Sequence, residues 1–213
     1  MTITLPQPGA PDLRFEEPAP RERLERTAAA LAERGFISTV ASDAQHARRL
    51  ALDAVPQGTE VHIALSETMR ELGITAAIDE SGRYDSVRGR LRAFDPVTQR
   101  RERAKAGAAP DYVLGSAHAV TDDGQIIVSS GTGSQLGAYA YSGGTVILVI
   151  GHQKLVRDID EGLRRIRDYS FPREFARMQA AGMPGTILAK TLILHRETHK
   201  RIHVILVPQT LGY

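Results

Sequence analysis

The sequence predicts a three-layer α/β domain, an open sheet with flanking helices and mixed strand directions. Three observations carry this. Short, almost wholly apolar runs over residues 145–150 and 202–207 have the composition of strands buried on both faces. Between such runs lie apolar residues at helical spacing, as in Leu155, Val156, Ile159, Leu163 and Ile166. Hairpin signals, above all Asp122-Asp123-Gly124, add antiparallel pairing.

The elements follow in order. Residues 1–19 hold Pro6, Pro8, Pro11 and Pro18 with little apolar periodicity and read as a flexible tail. Residues 20–213 then form a single domain. Pro20 suits a first helical turn, and residues 21–34 set Leu24, Ala28 and Leu31 on one stripe before Gly35. Residues 36–40 read as a strand. Ser42 caps a helix running to Val55, which Pro56 stops. A second strand covers 60–65, and Ser66 caps a brief helix to Gly73. Residues 74–92 show no clear period. Asp95-Pro96, a capping carboxylate followed by proline, opens a basic helix through Ala106.

Strands over 112–121 and 125–129 flank the Asp-Asp-Gly turn. A glycine loop opens a helix over 135–141, the buried strand 146–150 follows, and Lys154 starts the next helix. On the exposed side of that helix Asp160 pairs with Arg164 and Glu161 with Arg165. Pro172 opens a helix to Gly182. Residues 186–194 and 202–207 form two strands joined by a charged turn.

Composition removes several functions. With no cysteine, these residues supply no disulfide, thiolate zinc site, iron–sulfur ligand or cysteine nucleophile. The start lacks the basic and apolar parts of a secretory signal, and no apolar run nears the roughly 18 residues of a membrane helix. The expected location is cytoplasmic, with no membrane partner. Arginines and lysines bunch between Arg83 and Lys105, but only Tyr84 and Phe94 interleave with them. A solvated helix face fits better than a nucleic-acid surface. His195, His199 and His203 are spaced by four, yet apolar strand-like runs flank them and Arg196 stands where a zinc protease needs glutamate. No metal site is expected.

Four features hold polar chemistry inside apolar elements. Asp122-Asp123-Gly124 is either a plain hairpin turn or a turn that aims Thr121 or Asp122 into a cleft. Gly131, Thr132, Gly133 and Ser134 follow a strand and open a helix. Small residues, free amides and two hydroxyls there suit an anion, and equally suit close packing of a helix on a sheet. The loop is neither a Walker motif nor a full dinucleotide fingerprint, since Leu136 takes the third glycine's place. Lys154, after a buried strand, is either a cleft residue or a solvated lysine. His118 lies among strand residues, where a core or edge histidine is commoner than a base.

The runs A-V-T-D-D-G-Q-I-I-V-S-S-G-T-G-S and Y-S-G-G-T-V-I-L-V-I-G-H-Q-K-L-V-R-D-I-D-E-G-L-R-R-I-R resemble the LUD domain family, the lactate-utilisation group. The shared features are a threonine–acidic–x–glycine turn, a glycine-rich loop, a hydrophobic strand and a lysine-led amphipathic helix. The match is specific over residues 111–167; elsewhere only element order agrees.

The resemblance implies a fold like the ribose-phosphate isomerase and coenzyme A transferase superfamily. It also implies a place beside an iron–sulfur oxidase complex that turns L-lactate into pyruvate. The cysteine-bearing segment of longer relatives is absent, so the clusters would belong to partner subunits and this chain would carry no cofactor. Coenzyme A transferases have a Ser-Glu-Asn-Gly turn with a nucleophilic glutamate, and Thr121-Asp122-Asp123-Gly124 is similar in place with a shorter acid. Isomerases of this fold carry Gly-Thr-Gly-Ser near their start, whereas here it stands at 131–134.

Two functions are therefore expected. One is a subunit that binds a small anionic metabolite (carboxylate, phosphate or coenzyme A ester) through Gly131, Thr132, Gly133 and Ser134, lined by Thr121, His118 and Lys154. The other is a stand-alone acyl, coenzyme A or phospho-sugar enzyme with Asp122 as its catalytic carboxylate.

Overall fold

The structure, a computed structural model, describes residues 7–213. Asp12 accepts from the Arg14 amide and caps a 3-10 turn, Leu13–Glu16. The expected tail is docked from here on. The Asp12 amide donates to the Asp168 carbonyl (2.8 Å), Glu16 pairs with Arg173 and accepts from Tyr169 Oη, and Ala19 is buried. Proline-rich composition argues against a helix, but not against docking, since an extended chain can still place its donors on a neighbour. Residues 1–6 of that expected tail lie outside the described residues.

Helix α1 (Arg21–Glu33) buries Leu24, Thr27 and Leu31, and leads into strand β1 (Ile37–Val40). Helix α2 (Ala44–Asp53) is capped by Asp43, which accepts from the His46 amide; Ser42 instead bonds Asp43. Then come β2 (Glu60–Ile63), α3 (Glu67–Glu71), α4 (Ile74–Asp79), β3 (Asp85–Ser86) and α5 (Val87–Leu91). Asp95 caps only a turn, accepting from the amides of Val97 (3.0 Å) and Thr98 (2.6 Å). The basic helix α6 spans Arg100–Ala106. In the basic run, Arg88 pairs with Asp79, and Arg90 with Glu60 and Asp85, at the β2–β3 edge.

The run expected as one strand over 112–121 is two: β4 (Tyr112–Gly115) and β5 (Ala119–Thr121), broken at Ser116–His118. After β6 (Ile126–Ser130), the expected helix over 135–141 is a short π-type turn, Ala138–Ser142, hemmed in by Gly137 and Gly143. Next is β7 (Thr145–Gly151). Lys154 does not start a helix: it ends a 3-10 turn, His152–Lys154, and leads into β8 (Leu155–Val156). Helix α7 (Ile159–Arg165) starts later, because Asp158 caps it by accepting from the Glu161 amide. Helix α8 (Phe171–Ala180), β9 (Lys190–Leu194) and β10 (Ile202–Val207) complete the chain.

Two sheets result. Six strands in the order β1-β10-β7-β4-β2-β3 pair in parallel throughout. A smaller sheet, β8-β5-β6-β9, mixes directions. The last two strands are therefore not a hairpin. β10, buried along its length, sits inside the parallel sheet, while half-exposed β9 edges the small one. In β7, Val146, Leu148 and Ile150 face α1 and the small sheet, whereas Ile147 and Val149 face α2, α3 and α4. Helix α7 covers the outer face of the small sheet through Ala119, Ile127, Val156 and Ile166. Among the described residues no helix is long and apolar enough to cross a membrane.

Candidate functional site

Strands β2, β4 and β7 lie side by side: Ile63 opposes Leu114, Gly115 opposes Leu148, and β7 runs on to Gly151. The segments beyond their carboxyl ends carry Thr68, then Ser116 and His118, then Gln153 and Lys154. Parallel sheets gather ligand groups at such ends. The expected candidates His118 and Lys154 both fall here.

Lys154 is 2 % exposed. Its Nζ donates to Thr68 Oγ1 (3.0 Å) and Ser116 Oγ (3.2 Å), and it forms no ion pair among the described residues. Both hydroxyl protons are engaged elsewhere, on the carbonyls of Leu211 (3.2 Å) and Val149 (2.7 Å). The two oxygens therefore turn lone pairs to Nζ, an arrangement that suits an ammonium. Burial with no carboxylate bonded to Nζ, and then nearby Arg165, brings the Lys154 pKa down to about 7 against a smaller upward pull from Glu71.

Arg165 is fully buried, although its expected role was a surface pair with Glu161. Glu161 bonds Arg157 instead, and the guanidinium turns inward to the carbonyls of Gln153 and His118 and to Ser170 Oγ. It stacks on Tyr169, 4.9 Å from the ring centre. Desolvation lowers its pKa to about 10. His118 Nδ1 accepts from the Ser129 amide (3.2 Å), which leaves the ring proton on Nε2. Protein packed around the ring, then Lys154 and Arg165, push its pKa down to about 3, so it is neutral. The side chains gathered here, Lys154, Arg165 and His118, are cations and donors.

The remaining candidates sit elsewhere. The glycine loop leaves β6 after Ser130, next to Ser129, whose amide donates to His118. Its amides are partly used within the loop: Gly133 donates to Ser130 Oγ (2.9 Å) and Ser134 to Thr132 Oγ1 (3.3 Å). The turn lies at the far end of β5, about 13 Å from His118 at strand rise. Buried Thr121 bonds Asp123 and the Gln125 amide, which holds the turn closed. Asp122 pairs with Arg23 (2.7 Å) and Asp123 with Arg34 (2.6 Å), both on or next to α1. Gly124 has φ +85°, and a Cβ there would meet the α1 backbone at 2.6 Å. Asp122→Asn should then lower stability by only about 0.2–1 kcal/mol, as for a partly exposed ion pair. It should leave anion binding unchanged, which urea melts and ligand titration would check.

Among the described residues, no group of three or more acidic or histidine side chains is placed to hold a metal ion. The lining is completed by segment 209–212. Gln153 Nε2 donates to the carbonyls of Leu211 and Gly212 (both 3.0 Å), and the Gly212 amide donates to Glu71 (2.8 Å).

A parallel sheet flanked by helices, with a donor-lined cluster beyond its strand ends, defines the class: an α/β protein built on a parallel sheet. Within that class the chain belongs to the LUD domain family, whose model matches residues 24–207, and is a lactate-utilisation-type domain protein. A similar solved structure is the crystal structure of a DUF162 family protein from Deinococcus radiodurans. It is 17 % identical, with a TM-score of 0.49, over 89 % of this chain and 99 % of that one. No curated protein matches this chain.

Proposed function

We propose that this LUD-domain protein binds a small anionic metabolite at the carboxyl ends of β2, β4 and β7, with Lys154 at the floor. We further propose that it does so as a subunit of organic-acid catabolism, beside an iron–sulfur oxidase acting on L-lactate. One observation carries the site: a lysine 2 % exposed whose partners are two hydroxyls and no carboxylate. An isolated buried cation is costly, and a bound anion removes the cost. The resemblance set out above supports the oxidase partner; with no cysteine in these residues, the clusters belong to that partner.

The test is a thermal-shift screen of wild type and Lys154→Met with lactate, pyruvate, acetate, inorganic phosphate and coenzyme A. A ligand at about 100 times its Kd adds roughly 2.7 kcal/mol, several degrees for a domain of this size. A shift seen in wild type and lost in Lys154→Met is the expected result. A shift retained in Lys154→Met would move the site away from Lys154. Co-purification with an iron–sulfur protein under native conditions tests the partner.

A further inference from the structure

We infer that Arg165 is the second pole of this site, and that the anion held between it and Lys154 is a small monocarboxylate. The inference rests on the anion-binding reading above and narrows its ligand. Arg165 is 0 % exposed, pairs with no carboxylate among the described residues, and leaves Nη2 without an acceptor. The Tyr169 ring, 4.9 Å from the guanidinium carbon, offsets some of its charge but supplies no acceptor oxygen or nitrogen to Nη2. A buried donor without a partner is costly enough that its persistence points to a ligand.

The same two segments hold both cations. Arg165 bonds the carbonyls of Gln153 and His118; Lys154 directly follows Gln153 and bonds Ser116, two residues before His118. Ser116 and His118 are the partly exposed members of the cluster, so a ligand would enter beside them. The donors not already engaged are two hydrogens on Arg165 Nη2, one on Lys154 Nζ and one on His118 Nε2.

That set fits a carboxylate, whose two oxygens offer about four lone-pair sites and one negative charge. An inorganic phosphate brings two further oxygens and up to a second charge, for which this set of four donor hydrogens leaves none.

The test is calorimetric titration of the whole protein at pH 8 with acetate, inorganic phosphate and neutral acetamide, in two buffers of different ionisation enthalpy. Acetate should bind, phosphate at least tenfold more weakly, and acetamide not at all. A carboxylate beside Lys154 holds its proton, so acetate binding should take up protons at this pH. Arg165→Lys, which keeps the charge but loses the planar fork, should weaken acetate by roughly 10- to 100-fold.

Phosphate binding tighter than acetate, and lost in Lys154→Met, would overturn the carboxylate while leaving the anion site standing. Unchanged acetate affinity in Arg165→Lys would overturn the role of Arg165. No binding of either anion would remove both readings. Should Arg165→Lys not fold, the side-chain nitrogen resonances of Arg165 in the wild type decide. Movement on adding acetate supports the role, and no movement at saturation ends it.

Discussion

Replacing Lys154 by methionine should make the protein more stable near pH 6 while abolishing anion binding. A core residue gives the opposite: truncating or replacing it loses stability. The Lys154 pKa falls from 10.5 to about 7 on folding. Below pH 7 the folded and unfolded chains both carry the proton, and the full penalty of the buried charge is present. Between pH 7 and 10.5 the unfolded chain holds a proton that the folded chain has released, so stability rises with pH. Above 10.5 the penalty is gone. At 1.36 kcal/mol per pKa unit the penalty is at most about 5 kcal/mol.

Methionine removes that charge but leaves Thr68 and Ser116 each short of one donated hydrogen bond, a loss of about 1–2 kcal/mol. The net expectation at pH 6 is a gain of at most about 3–4 kcal/mol that vanishes by pH 10. Urea melts at pH 6, 8 and 10 read it directly. His118, whose pKa is also depressed by burial, adds a loss of stability below its unfolded value of 6.5, smaller in Lys154→Met, which lacks one of the charges that depress it. If Lys154→Met is the less stable protein at pH 6, Lys154 is a structural residue and the site reading falls with it.

What the sequence made legible, and what it hid, divides by range of interaction. The apolar runs of β7 and β10 announce strands buried on both faces, because burial on both sides leaves no polar alternation. The family was legible from the turn, loop and strand around residues 119–151. The pairing of those strands was not. Residues 186–194 and 202–207 read as a hairpin because they are neighbours in sequence, yet β9 joins β6 while β10 inserts between β1 and β7.

Arg165 was hidden for another reason. Counting only apolar residues favours Leu163, which is 38 % exposed, whereas the buried stripe is Gly162, Arg165, Ile166 and Tyr169. That stripe has the spacing of a packed helix face, and a glycine and an arginine on it are the signal that periodicity overlooks. An arginine kept on the inner stripe of an otherwise amphipathic helix marks a place where chemistry overrides packing.

The second large effect concerns how Ser116 is placed. Gly115→Ala should cost about 3 kcal/mol and weaken anion binding, although the residue touches no ligand group. A Cβ at position 115 would lie 1.9 Å from Tyr139 Oη and 3.1 Å from Ala64 Cβ. Tyr139 is 1 % exposed, and its carbonyl accepts from Arg201, so the ring has little room to retreat. Burial raises the Tyr139 pKa, with the Ser116 backbone amide beside the hydroxyl opposing the rise. Pushing the ring away therefore shifts Ser116, and with it one of the two oxygens that hold Lys154.

Tyr139→Phe separates this from a general loss of packing. Alone it should cost about 1 kcal/mol, for the lost buried hydroxyl. In the Gly115→Ala background it removes the atom in conflict, so the double variant should be more stable than the sum of the two singles by about 1–2 kcal/mol. Anion affinity should recover in parallel. Purely additive losses, with binding still weak in the double variant, would mean that Tyr139 does not set the position of Ser116, and that the end of β4 holds the site by backbone pairing alone.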